Sequence, residues 1–279
     1  MSEARGRKSI FITGAASGMG RETARLFARG GWFVGAHDVN GEGLLALQAE
    51  IGADSCLTGV LDVTDRAAYQ AALDGFAAAT EGRLDLLFNN AGIGRGGPFD
   101  QMPFEDVMAV VNVNLVGVLI GIHTAAPLLK ATPNSLCFTT SSSSATYGMP
   151  GIAVYSATKH AVKGLTEALS IEFAQYGVRV ADTLPGLIDT PILPPGASAV
   201  APKTGMFRLI PPTAVADVVW AAYHDPAPEG GKLHWYVPPE LLELDKAATH
   251  APELLRDRIK AQGGLFFLSN PDLGDLAQA

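Results

Sequence analysis

Between a short apolar run, Ser9 to Thr13, and a helix-forming stretch, Gly18 to Arg29, lies the segment Thr13-Gly14-Ala15-Ala16-Ser17-Gly18-Met19-Gly20. Glycines at 14, 18 and 20 restrict what such a junction can be. Without Cβ atoms the backbone turns tightly, approaches a bulky anion and lets helix and strand pack closely. The first N–H groups of the helix then point at one spot, which suits a phosphate. Taken alone, the pattern also fits an ordinary tight strand-to-helix connection. Its place after the first strand of an alternating chain favours a nucleotide, with Ser17 and Met19 in the same turn.

The alternation is clear over the first two-thirds of the chain. Strands are expected at Ser9 to Thr13, Trp32 to His37, Leu57 to Leu61, Leu84 to Asn89, Ser135 to Ser141 and Val178 to Leu184. Helices are expected at Gly18 to Arg29, Gly41 to Ile51, Asp65 to Ala79 (capped by Thr64), Phe104 to Ala131 (bent near Pro127) and Ile152 to Tyr176. Continuous apolar strands separated by helices indicate a parallel sheet covered on both faces, in α/β, doubly wound fashion. After Leu184 the pattern changes. Pro185 to Pro212 is rich in Pro, Gly and Ala, as lids and binding loops are. A helix at Thr213 to Tyr223, a last strand at Lys232 to Val237 and a helix at Glu240 to Gln262 follow, with a loose end from Pro271 to Ala279. No repeat or second composition regime appears, so residues 1–279 read as one domain with a binding loop at about 187–212 and an extension at about 238–279.

With 279 residues, 48% apolar and 17% charged, the chain can bury a large core and is not a disordered chain. A formal net charge of -8 speaks against nucleic acid as a partner. Two cysteines, Cys56 and Cys137, make no disulfide framework, and no targeting run is visible, so a cytoplasmic protein is expected. Val107 to Leu129 is apolar but interrupted by Asn112, Asn114, His123 and Pro127, which fits a buried helix rather than a membrane span. The six histidines are scattered without partners at ligand spacing, so no metal is expected.

Asp38 ends the second strand, 18 positions after Gly20. An acid there can accept from both hydroxyls of an adenosine ribose and repels a 2′-phosphate. The turn offers Ala16 and Val39 where a cation would attract that phosphate. NAD is therefore favoured over NADP. A strand-end Asp can also be a simple turn residue.

Tyr155 and Lys159 are four apart in a helical stretch and so share one face. A phenol titrates near 10. An ammonium about 4 Å away is worth roughly 4 kcal/mol at an effective dielectric near 20. That corresponds to about three pKa units, enough to make the phenol a workable acid and base. Ser142, 13 positions earlier, can hold a substrate oxygen, although the run Ser141 to Ser144 leaves the assignment open by one position. Asn114, polar within an apolar helix, can hold a water linking Lys159 to solvent or simply bond across a helix contact.

In these motifs the chain resembles the short-chain dehydrogenase/reductase family from about Lys8 to Thr190. The matching pieces are the glycine turn, Asp38, Asp62-Val63, Asn89-Asn90-Ala91-Gly92, Asn114, Ser142, Tyr155, Lys159 and Pro185-Gly186 with Thr190. The resemblance implies a Rossmann-type sheet of about seven strands and NAD(P)-dependent hydride transfer. It implies that Asp62 and Val63 meet adenine, and that Asn90, Ala91 and Gly92 line the cofactor. Lys159 would hold the nicotinamide ribose, and Pro185, Gly186, Ile188 and Thr190 would border the nicotinamide. Asn114, Ser142, Tyr155 and Lys159 would form the catalytic set. Asp182 departs from the pattern, where an Asn often precedes Pro-Gly by three positions.

The expected activity interconverts a secondary alcohol and a ketone. The substrate walls expected at Ile93-Gly94, Ala145 to Pro150, Leu187 to Leu193 and Met206-Phe207 are mostly apolar, which fits a hydrophobic or aromatic small molecule or a lid simply packed onto the domain. Arg95 can bind an acidic group or stay solvated. Helices apolar on more than one face, and the habit of relatives, imply a homodimer or homotetramer. The rivals are a related lyase, in which Arg replaces the helix Lys and the glycine turn is altered, and a non-catalytic NAD-sensing protein, which loses part of the set.

Overall fold

The computed structural model describes residues 6–226 and 231–261. Seven strands form one sheet: β1 (Ser9–Thr13), β2 (Phe33–Asp38), β3 (Cys56–Val60), β4 (Leu86–Asn89), β5 (Leu136–Thr140), β6 (Arg179–Pro185) and β7 (His234–Val237). Their spatial order is β3-β2-β1-β4-β5-β6-β7, all parallel. The helices are α1 (Gly18–Arg29), α2 (Gly41–Ile51), α3 (Arg66–Thr80), α4 (Phe104–Val111), α5 (Gly117–Ala131), α6 (Ala153–Glu172), α7 (Ala197–Val200), α8 (Thr213–Tyr223), α9 (Leu241–His250) and α10 (Pro252–Ala261). The expected doubly wound α/β architecture is therefore present.

The central strands are apolar along their whole length because both faces are covered. Every residue of β1 is buried. On one face Ile10, Ile12 and Phe88 pack with Phe27 of α1, Leu44 and Leu47 of α2, and Val215 and Val219 of α8. On the other, Phe11, Leu87 and Cys137 pack with Leu73 and Phe76 of α3, Ile122 and Leu129 of α5, and Val162 of α6. A third cluster joins Leu184 and Tyr236 at the sheet edge to Leu241, Leu244 and Leu255 of the last two helices.

Several boundaries differ from the sequence reading. Asp65, not Thr64, caps α3, its carboxylate accepting from the N–H groups of Ala67 and Ala68. Leu84 and Asp85 precede β4 rather than belonging to it. Leu84 N–H donates to the Thr132 hydroxyl, while the Asp85 carboxylate accepts from Ser9 N–H. The stretch Phe104 to Ala131 runs helically throughout, but its irregular point is a wide turn at Asn112–Val116, well before Pro127. The final helical stretch is two helices, broken at Ala251-Pro252 because proline lacks the donor that would continue α9. The segment Pro271 to Ala279 lies outside the described residues.

Phe104–Ala131 is long and apolar enough to cross a bilayer by length and composition. Val110, Val118, Ile122, Ala125 and Leu129 along it are nevertheless buried in the protein.

Candidate active site

The strand order reverses at β1 and β4, and a crevice opens at their carboxyl ends. The glycine turn sits there. Gly14 takes φ 69°, and a Cβ on it would lie 2.9 Å from Ala91 Cα. A Cβ on Gly20 would collide with the carbonyl oxygen of Gly14, so α1 can reach β1 this closely only without one. Asn90 locks the turn from the next strand. Its Nδ2 donates to the carbonyls of Thr13 and Gly14 at 3.1 and 3.2 Å. The buried Thr13 hydroxyl accepts from the N–H groups of Asn90 and Ala91, both at 3.1 Å. Thr13, which the sequence reading left unassigned, is thus the pin between β1 and β4.

The resulting groove has a volume of about 740 Å³. Gly14, Ser17, Gly18, Met19, Asp38, Asp62, Val63, Asn90, Ala91, Gly92, Tyr155, Lys159 and Thr190 all line it. Gly20 lies behind the turn and acts on its shape. Val39 lines it beside Asp38, and Leu61, Val113 and Thr140, which were not expected there, line it too. At one end Asp38 Oδ2 accepts from Ala16 N–H at 3.0 Å, and Oδ1 from Asn40 N–H at 2.9 Å. Arg21 of α1 pairs with Glu50 at 3.1 Å. The residues present fit a dinucleotide: a helix N-terminus at a glycine turn, an acid at a strand end, and a buried cation at the far end.

That cation is Lys159. It is 3% exposed, and its Nζ donates to the Thr140 carbonyl at 2.7 Å. Nζ lies 5.5 Å from the centroid of the Tyr155 ring, so the two side chains do share a face of α6. Burial pulls the Lys159 ammonium down to about 8, opposed by the charge of Asp182. Burial also pushes the half-buried Tyr155 phenol above its ordinary value, and the neighbouring Ser142 hydroxyl pulls it back. The expectation of a phenol lowered by Lys159 is corrected accordingly. Removing water from both groups opposes both charged forms.

Among the serines, the Ser141 hydroxyl donates to the Lys159 carbonyl at 3.0 Å, bracing α6. Ser142 Oγ accepts from the N–H and hydroxyl of Ser144, at 3.1 and 3.0 Å, which leaves its own proton to donate. Asn114 is fully buried in the wide turn between α4 and α5. Its Oδ1 accepts from Ile93 N–H at 2.8 Å and its Nδ2 donates to Ile93 carbonyl oxygen at 2.9 Å. A Cβ on Gly92 would sit 3.3 Å from Asn114 Oδ1 and 3.9 Å from Lys159 Nζ, so both side chains border Gly92.

A second cavity of about 480 Å³ adjoins the groove. Ser142, Pro185, Gly186 and Ile188 line this one, and Tyr155 and Thr190 line both. Among the described residues, the cavity is apolar apart from its serines, threonines and tyrosines, and no Asp, Glu, Lys, Arg or His lines it. Met149, Pro150, Leu187, Ile192, Leu193 and Phe207 line it as expected. Leu244 and Leu255 line it too, and sequence carried no signal for them, because contact across about a hundred residues leaves no local pattern. Arg95 is half exposed and lies 3.4 Å from Asp106. Asp182 is fully buried, and its carboxylate is bonded to His234 Nδ1 at 2.7 Å, joining β6 to β7.

The family model described as short chain dehydrogenase matches residues 8–199. The chain is similar to levodione reductase of Leifsonia aquatica, with 36% identity over 191 residues, 66% of this chain and 70% of that protein. It is similar to cyclohexanol dehydrogenase of Acinetobacter sp. (strain SE19), with 34% identity over 223 residues, 78% of this chain and 88% of that protein. Among solved structures it resembles the 3-ketoacyl-(acyl-carrier-protein) reductase of Brucella melitensis complexed with NADH. That likeness has a TM-score of 0.73 and 29% identity, covering 82% of this chain and 96% of the other.

Proposed function

The chain belongs to the short-chain dehydrogenase family, and on that premise we propose that it interconverts an uncharged, ring-bearing ketone and its secondary alcohol with NAD, using Tyr155 as acid and base. That it is an oxidoreductase acting on CH–OH donors follows from the family and the relatives. The observation that carries the finer reading is the position of Tyr155, on the wall shared by a dinucleotide-sized groove and an apolar cavity.

A bound nicotinamide supplies the hydride acceptor or donor and, when oxidised, a positive charge beside the phenol. The chain's own groups do the rest. The Ser142 hydroxyl donates to the substrate oxygen. Tyr155 Oη takes the alcohol proton during oxidation and returns it during reduction. Lys159, held by Thr140, provides the cation beside the phenol, which favours the phenolate. Asn114 fixes Ile93 and borders Gly92 together with Lys159, which supports a water-mediated proton path between them. Gly14, Ser17, Gly18 and Met19 would hold the pyrophosphate, and Asp62 and Val63 the adenine.

NAD is preferred because Asp38 occupies the strand end and Arg21 is engaged by Glu50. That no charged side chain is on the cavity wall among the described residues supports an uncharged substrate, since an unpaired ion there would be desolvated at high cost. The printed names of two relatives, levodione reductase and cyclohexanol dehydrogenase, support a ring. The buried free thiols of Cys56 and Cys137 suit a cytoplasmic enzyme. Exposed Phe104, Met108 and Leu119 on α4 and α5, with Ile171 on α6, support a homodimer or homotetramer, which a mass by light scattering checks.

The test follows reduced nicotinamide by absorbance with a panel of ring ketones and charged keto acids. Wild type is expected to turn over the ketones. Tyr155→Phe should lose about 10²–10⁴-fold in turnover while still binding NAD. Near-normal turnover by that variant would remove Tyr155 from the acid–base step, and activity on the keto acids alone would remove the uncharged substrate.

A further inference from the structure

We infer that the C-terminal helix pair α9–α10 sets the size of ketone that the cavity admits, with Leu244 and Leu255 as specificity-determining residues. This rests on the reading of the cavity as the carbonyl site. The matched family region ends at residue 199, so the pair lies outside it. Leu244 and Leu255 nevertheless reach the cavity that holds Ser142 and Tyr155.

The two leucines are only 4% and 2% exposed, packed in one cluster with Leu184, Tyr236 and Leu241. They are a fixed wall rather than a loose cover. Asp245, next to Leu244, accepts from Lys163 Nζ through both oxygens, at 2.9 and 2.7 Å, and from the Tyr236 hydroxyl. Lys163 stands one turn beyond Lys159 on α6. The helix that carries the acid–base pair therefore also holds α9 in place, through a charge-assisted contact that is largely shielded from water. Arg208 and Glu240 add an exposed tie of 3.1 Å between the loop before α8 and the start of α9.

Leucine side chains discriminate by shape alone. A cavity of about 480 Å³ bounded this way suits compact ketones of one or two fused rings. Changing a wall of this kind by a few carbon atoms alters selection between substrates by about tenfold or more.

The experiment compares cyclohexanone with the two-ring ketone 1-decalone. Leu244→Phe narrows the cavity and should lower kcat/KM for 1-decalone about tenfold more than for cyclohexanone. Leu255→Ala widens it and should shift the ratio the other way. Thermal unfolding establishes that each variant is folded, and the two opposite changes keep the test decisive if one is not. Dissociation constants for the same compounds by saturation-transfer NMR read the ratio without turnover. A ratio unchanged in both variants overturns the inference, as does failure of wild type to bind either compound. Wild-type binding without turnover, with the ratio still shifting, overturns the proposed substrate reading and leaves the wall standing.

Discussion

The groove and the cavity meet at Tyr155 but are made of different material. The groove is shaped by main chain: the turn at Gly14 to Gly20, the strand ends at Asp38 and Asn90, and carbonyls that accept from Asn90 and Lys159. The cavity is walled by side chains from far-apart stretches, Tyr147, Ile192, Phe207, Leu244 and Leu255 among them. A main-chain cradle demands particular residues at particular positions, because only glycine tolerates the close approach of Gly20 to Gly14. A side-chain wall demands only bulk and apolarity, which many residues supply. One region should therefore resist change in its frame, and the other should retune freely.

The sharpest way to break this contrast is at the shared wall, where Tyr155→Phe is expected to stop chemistry without emptying the groove. The next effect concerns Lys159, whose charge is buried where the regions join. Its pKa of about 8 in the fold is below the ordinary 10.5, so holding it charged costs stability below pH 8. That cost is relieved as pH rises from 8 to 10.5, because there the unfolded chain binds more protons than the native one. The stability of Lys159→Met relative to wild type should accordingly decline by a few kcal/mol between pH 7 and pH 10.5, as read by urea unfolding. A difference that stays flat with pH would show that the ammonium is not penalised by burial. The smallest effect is at the far end of the groove. Asp38→Ala removes a ribose acceptor and the bond to Ala16, and should lower the NAD-to-NADP ratio of kcat/KM about tenfold. An unchanged ratio would separate Asp38 from cofactor choice.

How much was legible follows the same division. The seven strands and the order of motifs were readable because period, turn residues and cap chemistry are local. Even so, Asp65 displaced Thr64 as the cap of α3, and the last helical stretch broke at Pro252. Of the cofactor residues expected from sequence, the turn, Asp38, Asn90 and Lys159 come together on one groove, whereas Pro185, Gly186 and Ile188 face the neighbouring cavity. The direction of the Tyr155 shift was misjudged because a helix spacing reveals the nearby cation but not the loss of water around both groups. Ser141 and Ser142 could not be told apart until the fold turned the first toward the Lys159 carbonyl. Asn114 was visible as an oddity, and its partner Ile93 was not.

By itself the sequence determined the alternating sheet, the glycine turn and the pairing of Tyr155 with Lys159, since each rests on spacing along a few dozen residues. Only the tertiary structure decided how dry that pair is and which leucines line the cavity beside it. Desolvation and wall shape belong to what the rest of the chain packs around a point, and no local spacing carries that information.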